Sequence, residues 1–425
     1  MTSIESTDVR AAASAVAASS AAPASASPGA AASHPAPVIT EGGTPAVPVW
    51  QGIPGVAQTA DGALWVTWYT GGPKEPSAEN VAVLVRSVDD GVTWTHICTI
   101  AAPGGVRVFD PNLWVDPAGR LWHLWNQTDE SINELFDGAG GVWARHSVEA
   151  VSAGSGSASS GSASSGSASS GSARSGSARS ETVGSGSGES GSGGSVPTGI
   201  EWSIPARLSN GVSMNKPIVT ADGDWLLPAS VWGQGPDRGL DEPSDANVYA
   251  STDDGETWSF RGGAHVPVGI RTFDEHMIVE RRPGELWMVI RTLDGLAESF
   301  SQDDGATWTL VRPSGFNPHT SSRVFFSRLR DGRIILVRND HATERHGMRI
   351  DVSSDNGETW STLGVIDSRD TLTYPDAMEL ADGTLAVVYD RERGALGEIL
   401  LQRIRLDGSA PLADAPPTIV SALPR

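Results

Sequence analysis

Along most of this chain the apolar residues come in short, β-branched runs closed by Gly- and Asp-containing turns, which is the pattern of strands rather than helices. A turn followed by an apolar strand recurs at Asp61-Gly62-Ala63-Leu64-Trp65, Gly119-Arg120-Leu121-Trp122, Asp222-Gly223-Asp224-Trp225, Gly284-Glu285-Leu286-Trp287, Asp331-Gly332-Arg333-Ile334 and Asp382-Gly383-Thr384-Leu385, six times in all. A second pattern, S-x-D-x-G-x-T-W, stands at Ser87 to Trp94, Ser251 to Trp258, Ser301 to Trp308 and Ser353 to Trp360. Each copy follows an apolar run such as Val81-Ala82-Val83-Leu84-Val85, so each reads as the turn of a β-hairpin. In such a turn the Asp carboxylate accepts backbone amides, Gly takes a backbone shape closed to other residues, and Trp packs beneath. No stretch sustains helical periodicity.

The spacing of the copies gives the architecture. The last three begin 50 and 52 residues apart, whereas the first two are separated by 164. A Gly/Ser-rich tract from Val151 to Ser195 lies in that gap, and without it the gap holds two periods. One degenerate copy is therefore expected where Val142 to Ser147 enters the tract and Glu201-Trp202-Ser203 leaves it, with the tract occupying the hairpin turn. Six units of four strands predict an all-β, six-bladed β-propeller over residues 45–410, interrupted by a disordered insert at 151–195. An Ala/Ser/Pro-rich disordered tail is expected over 1–44 and a C-terminal tail over 411–425.

Charge narrows the partners. With 51 acidic and 30 basic residues the net charge is −21, which sets the chain against nucleic acid and anionic membrane surfaces. A single cysteine, Cys98, excludes an intramolecular disulfide and fits a reducing compartment. The first residues lack the basic and leucine-rich regions of a signal peptide, and no run approaches the ~18–20 apolar residues of a membrane span. A cytoplasmic protein is the expectation.

Propeller topology sorts the polar residues. One face, the near face, carries the starts of the innermost strands and the loops joining second to third strands, and functional groups collect at such a channel mouth. The strand starts bring Gln51, Asp110, Lys216, Glu275, His276, Arg323, Tyr374 and Asp376 to one level of successive blades. The loops add Glu75, Glu79, Asp129, Glu130, Arg291, His341, Arg345, His346 and Arg391. Mixed acids and bases with a tyrosine suit carbohydrate chemistry, where carboxylates move protons and Arg pairs with anionic sugars; the competing reading is a set of inter-blade salt bridges. His341 and His346, without cysteines nearby, read as loop hydrogen-bonding groups, so no metal and no cofactor is expected.

The repeated turn is the Asp box, or BNR repeat, and from Val49 to Asp407, the insert apart, the chain resembles the sialidase (neuraminidase) superfamily. Asp274-Glu275-His276-Met277, the later Arg291 and Tyr374-Pro375-Asp376 carry the resemblance. It implies that Tyr374 is a nucleophile, Glu275 its base and Arg291 a ligand for a substrate carboxylate. A neutral phenol suits an anomeric carbon whose carboxylate repels anions. Arg345 or Arg349 fills the third arginine position. The first arginine position is Gly52, in Gln51-Gly52-Ile53-Pro54, with Lys216 or Arg323 expected to replace its charge. The acid/base aspartate has no counterpart, and Glu75 or Glu79 stands in; Asp110 joins Glu79 among the catalytic candidates. The resemblance thus implies a glycoside hydrolase, exo-α-sialidase-like, removing a terminal acidic sugar from an oligosaccharide or glycoconjugate, with weak action on simple sialosides. Two alternatives remain: a non-catalytic carbohydrate-binding propeller, and a polysaccharide lyase or other glycosidase using Tyr374 or His276 on uronic-acid or rhamnose-type glycans. The oligomeric state is not encoded in these patterns.

Overall fold

A computed structural model describes residues 35–42, 48–129, 140–151, 200–232, 240–408, 412–413 and 415–424. The expected insert (from residue 152 on), most of the N-terminal tail and Glu130 lie outside the described residues. Six antiparallel sheets follow one another along the chain, and no helix occurs among the described residues. The innermost strands are Gln51–Gln58, Val106–Val115, Ile218–Val219, His276–Arg282, Phe325–Arg328 and Leu372–Glu379, and each blade runs outward from them as a simple meander. This is the six-bladed propeller that the two repeats predict.

Both ends of the propeller lie further out than expected. Val38–Glu41 pairs with Thr95–Ala101 as a fifth strand of the first blade, and Thr418–Ser421 pairs with Glu398–Ile404 as the fourth strand of the sixth. An outermost strand presents a row of unpaired amides and carbonyls, and these short segments satisfy them. The domain limits of 45–410 and the tail at 411–425 are corrected accordingly.

The core lies between neighbouring blades. Val56, Leu64 and Val66 of the first blade pack on Leu380, Ala386 and Val388 of the sixth, and Trp287 of the fourth meets Phe326 and Trp360 of the fifth at ring-centroid separations of 5.0 and 6.1 Å. The Asp boxes sit at these seams. In the copy at 251, Ser251 Oγ donates to Asp253 Oδ1 (2.8 Å), Asp253 accepts the Thr257 amide and hydroxyl (2.9 and 2.5 Å), and Trp258 Nε1 donates to the Gly255 carbonyl at 3.1 Å. Gly255 has φ +86°, and a Cβ there would stand 2.6 Å from the Trp225 ring and 2.8 Å from that of Trp122. Only glycine meets both demands.

Arginines clasp these turns from the preceding blade. Arg120 donates to the Asp254 carbonyl (2.8 Å), Arg261 to that of Asp304 (3.4 Å) and Arg281 to that of Asn356 (2.7 Å). Arg403 of the last blade pairs with Asp90 of the first at 3.1 Å. The ends of the insert obey the same hairpin geometry: Val148 N donates to Glu201 O and Ser203 N to His146 O, each at 2.8 Å.

Candidate active site

The near-face mouth is shaped by interruptions in the innermost strands. Pairing slips between Gly52 and Gly55, between Phe109 and Asn112, and between Thr373 and Asp376. Each slip contains an X-Pro pair, Ile53-Pro54, Asp110-Pro111 and Tyr374-Pro375, and proline has no amide with which to continue the ladder. At each slip the residue before proline has a positive φ: +55° at Ile53, +43° at Asp110 and +53° at Tyr374; Asp274 in the fourth blade has +45°. Side chains rarely adopt this region, at ~1–3 kcal/mol each, and a bulge re-aims the side chain it carries.

Tyr374 is thereby brought to Glu275, two blades away. Its hydroxyl donates to Glu275 Oε1 at 3.0 Å, and Arg291 Nη1 donates to that carboxylate at 2.8 Å and to the phenol oxygen at 2.9 Å. All three are buried, with Tyr374 5% exposed and set in an apolar cluster with Trp50, Ile53, Tyr69, Phe109, Val212, Met214 and Trp232. Arg345 stands 5.4 Å and Arg393 4.2 Å from the Tyr374 ring centroid. Burial raises the phenol's pKa, Glu275 adds to the rise, and Arg291, Arg393 and Arg345 oppose it without cancelling it. A phenolate is therefore not what these arginines produce, and Tyr374 keeps its proton here.

A second tyrosine–glutamate–arginine group adjoins the first. Tyr69 donates to Glu75 Oε1, Arg107 Nη2 donates to Tyr69 Oη at 3.1 Å, and Arg393 Nη1 binds Glu75 Oε2 at 3.0 Å. Burial pushes against it, yet Arg393, the Tyr69 hydroxyl and Arg107 hold the Glu75 carboxyl below its usual range. Tyr69 is fully buried, which keeps it from contact with a ligand. Asp110 lies among these groups, and burial pushes its carboxyl up to about 7, with Glu75 and Glu275 adding to the rise and Arg107 and Arg393 opposing it.

The remaining candidates are placed elsewhere. Lys216 plugs the channel, binding Asp376 (2.6 Å) and the carbonyls of Val56 (2.9 Å) and Leu113 (2.7 Å). Arg323 is buried against the carbonyls of Met214 (2.6 Å) and Pro375 (2.9 Å). Neither takes the place of a first-blade arginine, because backbone carbonyls and Asp376 absorb their charge. Gln51 ties the first blade to the sixth through Gly397 O (2.5 Å) and Ser421 Oγ (3.0 Å), and accepts from Trp68 Nε1 at 3.0 Å. His276 is enclosed between Asp274 O (3.0 Å) and Asn247 O (2.8 Å), and burial lowers its pKa to about 4. Arg349 is held by Asp351 (2.7 Å) and Asp340 (3.0 Å), so of the two third-position candidates Arg345 is the one beside Tyr374. Glu79 is exposed on the rim, its amide on Ser77 Oγ at 3.2 Å, and Glu75 is the loop carboxylate that reaches the cluster. Arg391 pairs with Glu398 and Glu392, both at 3.0 Å, while His341 and His346 bind loop amides and Asp370.

Sequence reasoning missed Arg393, and its position explains Gly52. A Cβ on Gly52 would lie 2.8 Å from Arg393 Cδ and Nε and 2.9 Å from Asp390 Oδ2. The room vacated at Gly52 in the first blade is filled by an arginine from the sixth, held by Asp390 at 3.0 Å and Glu75 at 3.0 Å. The available signal was Asp390 and Arg393 three residues apart at the end of an apolar strand.

The fold is a six-bladed β-propeller with Asp-box turns, and its near-face mouth carries a buried tyrosine–glutamate–arginine cluster. The family model for the BNR repeat-like domain matches residues 181–387. Among solved structures the chain is similar to an intramolecular trans-sialidase from Ruminococcus gnavus, in complex with oseltamivir carboxylate, at 13% identity and TM-score 0.55, over 86% of this chain and 96% of that one. It is similar to a protein of unknown function from Dyadobacter fermentans at 16% identity and TM-score 0.55, over 91% and 97%. A leech intramolecular trans-sialidase complexed with 2,7-anhydro-Neu5Ac matches at 14% identity and TM-score 0.54, over 87% and 71%. No curated protein matches the sequence.

Proposed function

We propose that this protein is a glycoside hydrolase that removes a terminal acidic sugar with retention, through a tyrosyl intermediate. The observation that carries the reading is Tyr374 hydrogen-bonded to Glu275 at 3.0 Å under a shared Arg291. A phenol is a weak nucleophile at neutral pH and needs a base within hydrogen-bond reach. In the first step Tyr374 oxygen bonds to the anomeric carbon, its proton passes to Glu275, and the glycosidic C–O bond breaks with a proton supplied to the leaving oxygen. Water then attacks the same carbon, tyrosine leaves, and Glu275 returns its proton. Arg291, Arg345 and Arg393 surround Tyr374 with positive charge, which suits a sugar bearing a carboxylate. The sialidase-type neighbours support a sialic acid or a related acidic sugar; with Arg393 rather than a first-blade arginine, simple sialosides are expected to be poor substrates.

Turnover of a panel of aryl sialosides, uronides and rhamnosides by the wild type and by Tyr374→Phe tests this. The wild type should turn over an acidic member, and loss of the one oxygen should cost ~10³-fold or more in kcat with ligand binding nearly unchanged. A Phe variant that keeps wild-type turnover, or an ultraviolet-absorbing unsaturated product, would replace this reading with another glycosidase mechanism or a lyase. Tight sugar binding without any turnover would favour the binding propeller.

A further inference from the structure

The site as described names a nucleophile and its base but no donor for the leaving oxygen. We propose that Asp110 is that donor, and that in the second step it takes the proton from the attacking water. This rests on the glycosidase reading above.

Position supplies the first argument. Asp110 occupies in the second blade the same bulge, before the same proline, that Tyr374 occupies in the sixth, with φ of +43° and +53°. With Glu275 in the fourth, the three groups come from alternate blades around one mouth. An acid in this chemistry must approach the leaving oxygen from a side other than the nucleophile's, and a ring of alternate blades provides this.

Elimination among the carboxyls supplies the second. Glu75 is held by Arg393 and Tyr69, and Glu275 by Arg291 and Tyr374. Asp390 is bound by Arg393 at 3.0 Å and by the Ile53 amide at 2.7 Å, and Asp376 by Lys216 at 2.6 Å. Asp274 is fully buried and paired with Arg271, and Glu79 is exposed on the rim. Among the described residues Asp110, Asp274, Glu275 and Asp376 each have a buried carboxyl oxygen without a hydrogen-bond partner, but the last three are paired with Arg271, Arg291 and Lys216, whereas Asp110, only 5% exposed, has no cation at hydrogen-bond distance. A buried carboxyl in this condition is costly unless it stays protonated or receives a ligand, and both are what an acid awaiting substrate requires.

The surroundings agree. The charged and titratable groups facing Asp110 are Arg107 on its own strand, Glu75 and Tyr69 of the first blade, Glu275 of the fourth and Arg393 of the sixth. Burial and the two glutamates outweigh the two arginines, so the carboxyl titrates near neutrality, where an acid that must later act as a base works best.

The decisive comparison is Asp110→Asn against the wild type on phenyl and dinitrophenyl glycosides of the sugar that the panel identifies. Phenyl glycosides need a proton at the leaving oxygen and dinitrophenyl glycosides do not. The variant should lose ~10²–10⁴-fold in kcat/KM on the phenyl glycoside and little on the dinitrophenyl glycoside. Its phenyl-glycoside profile should also lack the alkaline limb near pH 7. Equal losses on both leaving groups, with the limb retained, overturn Asp110 as the acid while leaving the glycosidase reading intact. A wild type that turns over no member of the panel removes both. If the variant folds poorly, the wild type alone decides: its alkaline limb should be present with the phenyl and absent with the dinitrophenyl leaving group, and a limb present in both sinks the proposal.

Discussion

Replacing Gly52 by alanine tests whether Arg393 owns the space in the first blade. The new Cβ would stand 2.8 Å from Arg393 Cδ and Nε, where carbon contacts normally settle at ~3.5–4.0 Å. Arg393 must then withdraw by roughly 0.7–1.2 Å. Its bonds to Asp390 and Glu75, both 3.0 Å, would stretch past hydrogen-bond reach. Gly52 does not have the left-handed φ of its neighbour Ile53, so the penalty is overpacking rather than backbone strain, about 1–3 kcal/mol. Arg393→Ala alone leaves Asp390 buried without its cation, and costs about 3 kcal/mol, the low end for a broken buried pair because Glu75 is 32% exposed. In the double variant the clash with Arg393 is gone and only the contact with Asp390 Oδ2 at 2.9 Å remains, so the two costs should overlap by ~1–2 kcal/mol. Urea unfolding of the wild type, both single variants and the double variant measures this, and KM for the acidic aryl glycoside should rise in each variant. Additivity within ~0.5 kcal/mol would refute the claim that Arg393 fills the place left by Gly52.

Two further outcomes follow from the scaffold. Replacing residues 152–199 by a short turn should leave fold and turnover unchanged, because Val148 and Glu201 already meet at 2.8 Å across the hairpin and loop length adds little entropy; loss of turnover in a folded deletion would refute that placement. The Asp-box carboxyls, held below their usual range first by the threonine hydroxyl and amide, reach about 2 at Asp89 and Asp355 and are lowered at Asp253 and Asp303. A depressed folded-state pKa contributes stability that is present above the unfolded value near 4 and lost as pH falls toward 2, so acid unfolding should steepen across that window, less so in a variant with Asp253 and Asp303 replaced by Asn; an unchanged acid profile would count against the boxes as fasteners.

The sequence by itself determined the repeats, and with them the fold. An Asp box is a local object: Ser251, Asp253, Gly255 and Thr257 satisfy one another within seven residues, so the string of types is enough to read it. Blade number and the insert's hairpin followed from spacing, and the starts of the innermost strands brought Tyr374, Glu275 and Asp110 to notice. What lay beyond the sequence was which charges the ring closure neutralises. Lys216, Arg323, Asp376 and Gln51 share the level of Tyr374 along their strands, yet they satisfy carbonyls and amides of other blades, partners up to 346 residues distant. Arg393 and Gly52 are 341 positions apart, and nothing in the local pattern at either says that the second must be small so that the first can enter. Local hydrogen bonding and periodicity are written along the chain, whereas the sharing of buried volume and charge between blades exists only once the ring has closed.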